Sequence, residues 1–343
     1  TMPYGTTIQI PVMASVFRSL PTKDRPKFFC REFVAVLPQV TRTYKNHHLD
    51  SSRWDLYRPR SNDVIIATAY KSGTTWTQNI FYELLYGDET QKPSPDSVNV
   101  WPDADFRGLK RDALKTWLDG FEAQRYIKSH IPLDGLPYYE QVKYVIVCRD
   151  PRDVFMSLFN HVSRYTPEFY QMLNDPARLV GQPMPKISSD PREVWRQWIS
   201  KGWFDWETEG YPMWSNMHHT QTFWNFKHLP NFLFLHYNDM LSDLSGAVAK
   251  LAAFSGIEVD RQKIARVVEA TTFEKVKQKA LALKNDRMAS TFEGGQAQFI
   301  FKGTNGRWKD IFTDQDLDLY EAAKQRVLSE DCARWLEQGG IAA

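Results

Sequence analysis

The chain has 343 residues, of which 42% are hydrophobic and 24% are charged, and its formal net charge is +2. These values are typical of one globular α/β domain with a sizeable core, and the small net charge excludes a general nucleic-acid binder. Three widely spaced cysteines (Cys30, Cys148 and Cys332) exclude a disulfide framework and favour a reducing compartment. We therefore expect a cytoplasmic protein with no signal peptide and no stretch apolar enough to span a membrane.

The first 60 residues show no clear hydrophobic period and contain scattered proline, arginine and aromatic residues. We expect residues 1–60 to form an irregular arm packed on the body, and residues 61–343 to form a single domain. The aromatic content of 14%, with twelve tryptophans, fits either a well-packed core or an aromatic pocket for an apolar small molecule.

The first clear element is a buried strand that begins at residue 63 and leads directly into a polar turn. The turn Lys71–Thr75 contains lysine, serine, glycine and two threonines, and apolar residues then recur at helical spacing over Gln78–Tyr86 until Gly87. Free N–H groups at a helix start, together with hydroxyls and an ammonium group, form a site for a phosphate-like anion. The turn is not a Walker A loop, because its lysine precedes its glycine.

Three further strands and two helices are predicted downstream. The strands cover residues 125–130, 143–149 and 231–237, and the helices cover Pro151–Val162 and residues 239–254. This alternation predicts an α/β fold with a mostly parallel central sheet flanked by helices. Such sheets bind ligands at the carboxyl ends of their strands, which places Lys71, His130, Arg149 and Tyr237 along one edge.

Residues 165–228 form a region rich in tryptophan, proline, histidine and methionine. Its length exceeds that of a simple crossover connection, so we expect part of it to cover the ligand site. The pairs His47-His48 and His218-His219 raise the question of a metal. No cysteine or carboxylate spacing supports such a site, and no metal is predicted.

Four segments carry motifs that occur in a fixed order: Tyr70–Trp76, Lys128–Pro132, Arg149–Ser157 and Phe301–Lys309. They resemble the 5′-phosphosulfate loop, the Lys-x-His-x-Pro element, the 3′-phosphate element and the Lys-Gly-x-x-Gly-x-Trp-Lys loop of the cytosolic-type sulfotransferases. These enzymes transfer a sulfuryl group from 3′-phosphoadenosine 5′-phosphosulfate (PAPS). The resemblance spans residues 63–313, about three quarters of the chain, and implies the P-loop-nucleotide-kinase-like fold of that family.

The resemblance implies a catalytic role for three residues. Lys71 would hold the 5′-phosphate and the bridging oxygen, together with Ser72, Gly73, Thr74 and Thr75. His130 would act as general base, since an imidazole titrates near neutral pH. Lys128 would be a second cation at the sulfuryl group, because alternate residues of a strand face the same side.

Further matching positions are implied to bind the nucleotide. Arg149 and Ser157 would bind the 3′-phosphate, for which the planar guanidinium is suited. Lys302 and Gly303 would complete that phosphate site. The aromatic residues Trp76, Tyr237 and Phe273 match positions that surround the adenine in the family, although a core-packing role is nearly as plausible for each of them.

The chain departs from the family pattern at several positions. Tyr70 stands where proline is usual before the lysine, and Phe301 takes the cofactor-binding position of an arginine that usually contacts the 3′-phosphate. Arg307 stands where aspartate is common, and we suggest it as the substitute cation. The family's dimerisation motif is not recognisable, so a monomer and a homodimer are both open.

We therefore expect a metal-independent enzyme that sulfates a hydroxyl group of a small aromatic or apolar acceptor. A phenol, a steroid-like alcohol and a lipid alcohol all suit an aromatic pocket. One alternative is a kinase-like phosphoryl transferase, which the missing Walker A loop and the lack of a clear Mg²⁺-binding carboxylate disfavour. Another is a nucleotide-binding regulator without catalysis, which the presence of His130 disfavours.

Overall fold

The computed structural model describes residues 36–121, 123–282, 286, 288–300 and 302–340. The described residues from Pro38 onward belong to one compact unit. The predicted arm over residues 1–60 lies outside the described residues as far as residue 35, and its packing on the body stays a prediction. Its described part contains the 3₁₀ helix Ser51–Leu56, which begins after the capping side chain of Asp50.

A parallel sheet lies at the centre of the described chain. Its four strands are β1 (Val64–Thr68), β2 (Tyr126–Ser129), β3 (Lys143–Cys148) and β4 (Phe232–His236). Their order across the sheet is β2-β1-β3-β4, and every neighbouring pair is parallel. All carboxyl ends therefore lie at one edge, and the predicted parallel sheet flanked by helices is confirmed.

Helices occupy most of the remaining described chain. They are α1 (Thr74–Tyr86), α2 (Pro95–Val98), α3 (Arg111–Asp119), α4 (Pro151–Val162), α5 (Pro167–Leu173), α6 (Pro191–Ser200), α7 (Asn216–Trp224), α8 (Tyr237–Ser242), α9 (Leu244–Ser255), α10 (Arg261–Thr271), α11 (Phe273–Leu281), α12 (Gly295–Phe299), α13 (Asp314–Val327) and α14 (Glu330–Gln338), with a second 3₁₀ helix at Arg307–Asp310. The helix predicted over Pro151–Val162 is confirmed at both ends.

The hydrophobic core explains why the strands read as nearly continuous apolar runs. All five residues of β1 are buried, as expected for a parallel strand covered on both faces. Val64 and Ile66 pack with apolar residues of β3, β4, α1 and α9 in one cluster. Tryptophans also contribute to packing, since Trp54, Trp195, Trp198 and Trp214 are almost fully buried.

The structure corrects several predicted boundaries. Helix α1 begins at Thr74, four residues before the predicted start, so the polar turn leads directly into the helix. The single helix predicted over residues 239–254 is wrong, because two helices meet at Asp243. The Asp243 carboxylate accepts a hydrogen bond from Gly246 N at 2.8 Å and caps α9. Tyr237 starts α8 instead of ending β4.

Candidate active site

The polar turn between β1 and α1 has the backbone conformation of an anion cradle. Gly73 precedes α1 with a φ of 114°, and Lys71 adopts a φ of 60°, which is uncommon for a residue with a side chain. A Cβ atom at Gly73 would lie 3.1 Å from the ring of Tyr237, so glycine allows the turn to approach that ring. The free N–H groups at the start of α1 point toward this turn and favour an anion there.

Lys71 carries its ammonium group into the interior of the site. Its Nζ lies 3.1 Å from Nδ1 of His161, a partly buried histidine of α4 that the sequence analysis did not select. Burial, reinforced by the charge of Arg149, lowers the pKa of Lys71 to about 8. Its charge is therefore sensitive to whatever anion binds beside it.

Lys128 and His130 come from the end of β2, two residues apart, and both line the same cavity as Lys71. The Lys128 Nζ lies 3.5 Å from the ring centroid of Trp101. Burial and then the charge of Arg107 lower the pKa of Lys128 to about 7. The predicted alternation thus brings the two side chains to one side of the strand.

The hydrogen bonds of His130 determine which ring nitrogen is basic. Nδ1 lies 2.7 Å from the carbonyl oxygen of Thr68, which can only accept, so Nδ1 carries the proton. Burial, followed by the charge of Lys128, holds the pKa of His130 well below its usual value. The imidazole is therefore neutral near pH 7, with a lone pair on Nε2.

Asp103 positions the surroundings of His130. This fully buried carboxylate accepts hydrogen bonds from Trp101 Nε1 at 2.8 Å, from Trp54 Nε1 at 3.0 Å and from His130 N at 3.2 Å. The Trp101 ring stands 5.1 Å from the His130 ring in an edge arrangement. Asp103 lies in a stretch of sequence rich in proline and aspartate, and no local pattern there indicates its role.

Arg149 joins the end of β3 to the C-terminal loop. Its guanidinium donates to Asn305 Oδ1 at 2.9 Å and to the carbonyl oxygen of Thr304 at 3.1 Å, and it lies 4.3 Å from the ring centroid of Tyr237. Ser157, eight residues further along the chain, lines the same cavity. The two residues of the predicted 3′-phosphate site are thus brought together.

The C-terminal loop supplies two further cations to this cavity, Lys302 and Arg307. Gly303 has a φ of 66°, and a Cβ there would lie 2.6 Å from the ring of Phe273, so only glycine allows this contact. Arg307 lies close enough to Arg149 for their charges to interact. Phe301, the position of the missing family arginine, lies outside the described residues.

All but two of the predicted site residues line one cavity of about 600 Å³, a size typical of small-ligand sites. Ser72 is buried instead, with its hydroxyl donating to the carbonyl oxygen of Tyr70 at 3.3 Å, and Phe301 lies outside the described residues. The lining cations are Lys71, Arg107, Lys128, Arg149, Lys302 and Arg307. No aspartate or glutamate is found among the described residues of the lining.

The three predicted adenine-binding aromatics lie together at the cationic end. The Trp76 and Tyr237 rings are 5.5 Å apart in an edge arrangement, Phe273 contacts Gly303 as described above, and Trp76 Nε1 donates to the carbonyl oxygen of Thr271 at 2.8 Å. The other end of the cavity is mainly aromatic and apolar, apart from Arg107 and Lys128, which lie against Trp101. It includes Tyr165, Phe169, Met172, Met213 and Trp214 from the predicted cover region, and also His48, Trp101, Phe106, Phe292 and Phe299.

Tyr70 connects the polar turn Lys71–Thr75 to the region 165–228. Its hydroxyl donates to the carbonyl oxygen of Trp214 at 2.8 Å and accepts from Trp198 Nε1 at 2.9 Å. Its ring also stands 5.1 Å from the Trp214 ring. The departure from proline at this position therefore provides a polar link between two parts of the cavity wall.

Replacing Tyr70 with phenylalanine is expected to lower the free energy of unfolding by about 1–3 kcal/mol, because a buried carbonyl and a buried indole N–H lose their partner. Urea unfolding followed by tryptophan fluorescence measures the change. Tyr126→Phe is the matched control, since the buried Tyr126 hydroxyl has no hydrogen-bond partner among the described residues. Equal effects of the two substitutions would contradict the role of the link.

No group of three or more histidine, cysteine, aspartate or glutamate side chains is arranged to hold a metal ion in the described part of the chain. Likewise, none of its helices has the length and apolar character that crossing a membrane requires.

Curated proteins similar to this chain are sulfotransferases. A glycolipid sulfotransferase of Mycobacterium bovis (strain BCG / Pasteur 1173P2) is 27% identical over 311 residues, which cover 86% of this chain and 94% of that protein. The sulfotransferase 1A1 of Canis lupus familiaris is 26% identical over 275 residues, which cover 78% and 83% of the two chains.

Solved structures show the same fold. Mouse sulfotransferase SULT7A1, complexed with PAP, matches with a TM-score of 0.59 at 19% identity, covering 83% of this chain and 90% of that one. Retinol dehydratase, in complex with androsterone and the inactive cofactor PAP, matches with a TM-score of 0.58 at 24% identity, covering 81% and 84%. The family described as the sulfotransferase domain matches residues 61–331. The chain therefore belongs to the PAPS-dependent sulfotransferase family.

Proposed function

We propose that this enzyme transfers the sulfuryl group of PAPS to a hydroxyl of a small aromatic or apolar acceptor, with His130 as general base. The products are a sulfate ester and 3′-phosphoadenosine 5′-phosphate (PAP). PAPS supplies a sulfuryl group attached to a phosphate that leaves as an anion.

The observation that carries the proposal is the charge of the cavity lining. Six cations and no carboxylate line the described cavity wall. These cations can neutralise the negative charge of two phosphate groups and a sulfuryl group without a metal. Gly73 and Gly303 allow the turn and the C-terminal loop to pack against the rings of Tyr237 and Phe273, which line the same cavity. The residues present thus suit PAPS.

Five of the six cations are divided among the 5′-phosphate, the sulfuryl group and the 3′-phosphate in the proposed reaction. Lys71 and the N–H groups at the start of α1 stabilise the charge that develops on the departing 5′-phosphate. Lys128, held against Trp101, faces the sulfuryl oxygens. Arg149, Ser157 and Lys302 hold the 3′-phosphate, with Arg307 as the further cation in place of the missing family arginine.

His130 removes the proton of the attacking hydroxyl through Nε2. The bond from Nδ1 to the Thr68 carbonyl keeps that lone pair available, and the neutral form of the ring persists near pH 7 because burial lowers its pKa. Asp103 acts indirectly, because its carboxylate accepts hydrogen bonds from the His130 backbone and from the neighbouring Trp101 ring.

The acceptor is proposed to be an aromatic or lipid-like alcohol. Its end of the cavity is lined by aromatic and methionine side chains, which favour an apolar molecule. A relative that is 27% identical is named as a glycolipid sulfotransferase, and another, 26% identical, is named sulfotransferase 1A1. A lipid alcohol, a steroid-like alcohol and a phenol all remain within this class.

The experiment is an assay with labelled PAPS and a panel of phenols and apolar alcohols, with chelator and without added metal. We expect a labelled sulfate ester and PAP in equal amounts. The same assay with labelled ATP and Mg²⁺ tests the phosphoryl-transfer alternative, for which the described lining offers no carboxylate to bind Mg²⁺. Failure of PAPS to bind at all would refute the proposed co-substrate.

A further inference from the structure

The His47-His48 pair, which the sequence analysis considered only as a metal site, forms a hydrogen-bonded chain. His47 Nε2 lies 2.9 Å from the carbonyl oxygen of Pro212, and His47 Nδ1 lies 2.8 Å from His48 Nδ1. Two ring nitrogens in direct contact leave no space for an ion between them, since each zinc–nitrogen bond alone needs about 2.0–2.1 Å. The pair is therefore a hydrogen-bonded unit.

The direction of these bonds follows from the Pro212 carbonyl, which can only accept. His47 Nε2 must donate to it, and burial lowers the pKa of His47 to about 4, so this ring is neutral and carries no second proton. His47 Nδ1 is then an acceptor, and His48 Nδ1 is the donor. His48 is consequently left with a lone pair on Nε2, the same tautomer as His130.

This lone pair belongs to a buried side chain on the cavity wall. His48 is only 5% exposed, it lines the cavity, and its Nε2 has no hydrogen-bond partner among the described residues. The rings of Phe106 at 4.8 Å and Phe169 at 6.2 Å form the adjacent wall, and Lys128 is close enough for its charge to act on His48. Nε2 is not among the fully buried atoms that lack a partner, so it is open to the cavity, where the hydroxyl of a bound ligand can donate to it.

The position of His48 in the cavity determines which part of a bound acceptor it can contact. The Trp214 ring lies 6.1 Å from the His48 ring and 6.0 Å from the His130 ring. Both histidine rings therefore lie beside the same indole on the cavity wall. A molecule that packs on this indole with its reacting hydroxyl at His130 can place a second polar group near His48.

We propose that His48 accepts a hydrogen bond from a second hydroxyl of the acceptor, so that the preferred acceptors are diols or polyols on an apolar frame. This inference rests on the proposed function, because it concerns the acceptor of the same reaction. His48 is a specificity-determining residue, and His47 is a positioning residue that orients its ring and tautomer through the Pro212 carbonyl.

The test compares acceptors that differ by one remote hydroxyl: phenol against hydroquinone, and 4-phenylphenol against 4,4′-dihydroxybiphenyl. For at least one pair we expect kcat/KM of the diol to exceed that of the monohydroxy compound by roughly three- to tenfold beyond the statistical factor of about two. In His48→Phe this excess disappears, so that kcat/KM for the diol exceeds that for the monohydroxy compound only by the statistical factor of about two. His48→Gln, whose amide oxygen accepts, keeps part of the excess, and His47→Phe loses most of it.

Phe169→Leu is the control, because it changes an apolar neighbour of His48 and affects both members of a pair alike. PAP affinity, measured for every variant, reports whether the protein is folded. A diol excess that persists in His48→Phe, or its absence for both pairs in the native enzyme, would overturn the inference while sulfation of the monohydroxy compounds still supports the proposed function. If no compound is sulfated, the proposed function itself fails.

Discussion

His130→Gln is expected to lower kcat for sulfuryl transfer by about 10²–10⁴-fold, the usual contribution of a positioned general base. The amide of glutamine is polar and uncharged but lacks a basic nitrogen at the position of Nε2. The cations that hold the nucleotide are unchanged, so PAP affinity should stay within about threefold of the native value. Steady-state assays with PAPS and a phenol, together with calorimetric titration of PAP, measure both quantities.

The matched control is His228→Gln, because His228 is exposed and lies outside the cavity lining. We expect its activity to equal that of the native enzyme. Since burial lowers the pKa of His130 well below its usual value, the native kcat should also show no loss of base activity down to about pH 6. Sulfation at the native rate by His130→Gln would show that another group removes the proton.

Lys71→Met is expected to lower kcat by about 10²–10³-fold, the effect of removing one preorganised group that stabilises transition-state charge. Methionine fills similar space but leaves the departing 5′-phosphate without its ammonium partner. PAP should still bind, because Arg149, Lys302 and the N–H groups at the start of α1 remain. Lys250→Met, a change at an exposed lysine outside the cavity lining, should leave kcat unchanged.

Proton uptake provides a second readout of Lys71. Burial lowers the pKa of Lys71 to about 8 and that of Lys128 to about 7, and the charged form of a lysine exists below its pKa. An anion favours that form, so PAP binding at pH 8 should take up protons, and PAP affinity should fall as pH rises through 7–8. Calorimetry in two buffers of different ionisation enthalpy measures the uptake. Equal uptake by Lys71→Met and the native protein would mean that Lys71 does not titrate in this process.

Residues whose role depends on local sequence were predictable. The apolar run of β1 and the proline at the start of α4 follow from burial and backbone preference. The boundary at Asp243 was missed, because an amphipathic period continues across it and only the aspartate cap interrupts the helix. The start of α1 was missed because the turn residues resemble a loop until the helix is formed.

Residues whose role depends on distant partners were not predictable. His161 contacts Lys71 across 90 positions of sequence, and Tyr70 contacts Trp214 across 144. Asp103 supports His130 from a loop whose composition indicates only a turn. No local spacing encodes these pairs, since the sheet order and the chain crossovers bring them together.

The sequence by itself determined the class of fold, the four motifs and their order, because strand periodicity, a glycine-containing turn and a lysine two residues before a histidine are local properties of the chain. Only the tertiary structure decided which nitrogen of His130 is basic, how burial lowers the pKa of Lys71 and Lys128, and where the lone pair of His48 lies. Hydrogen-bond direction and desolvation depend on residues that are close in space only after the chain has folded. They therefore cannot be inferred from the order of residue types in the sequence.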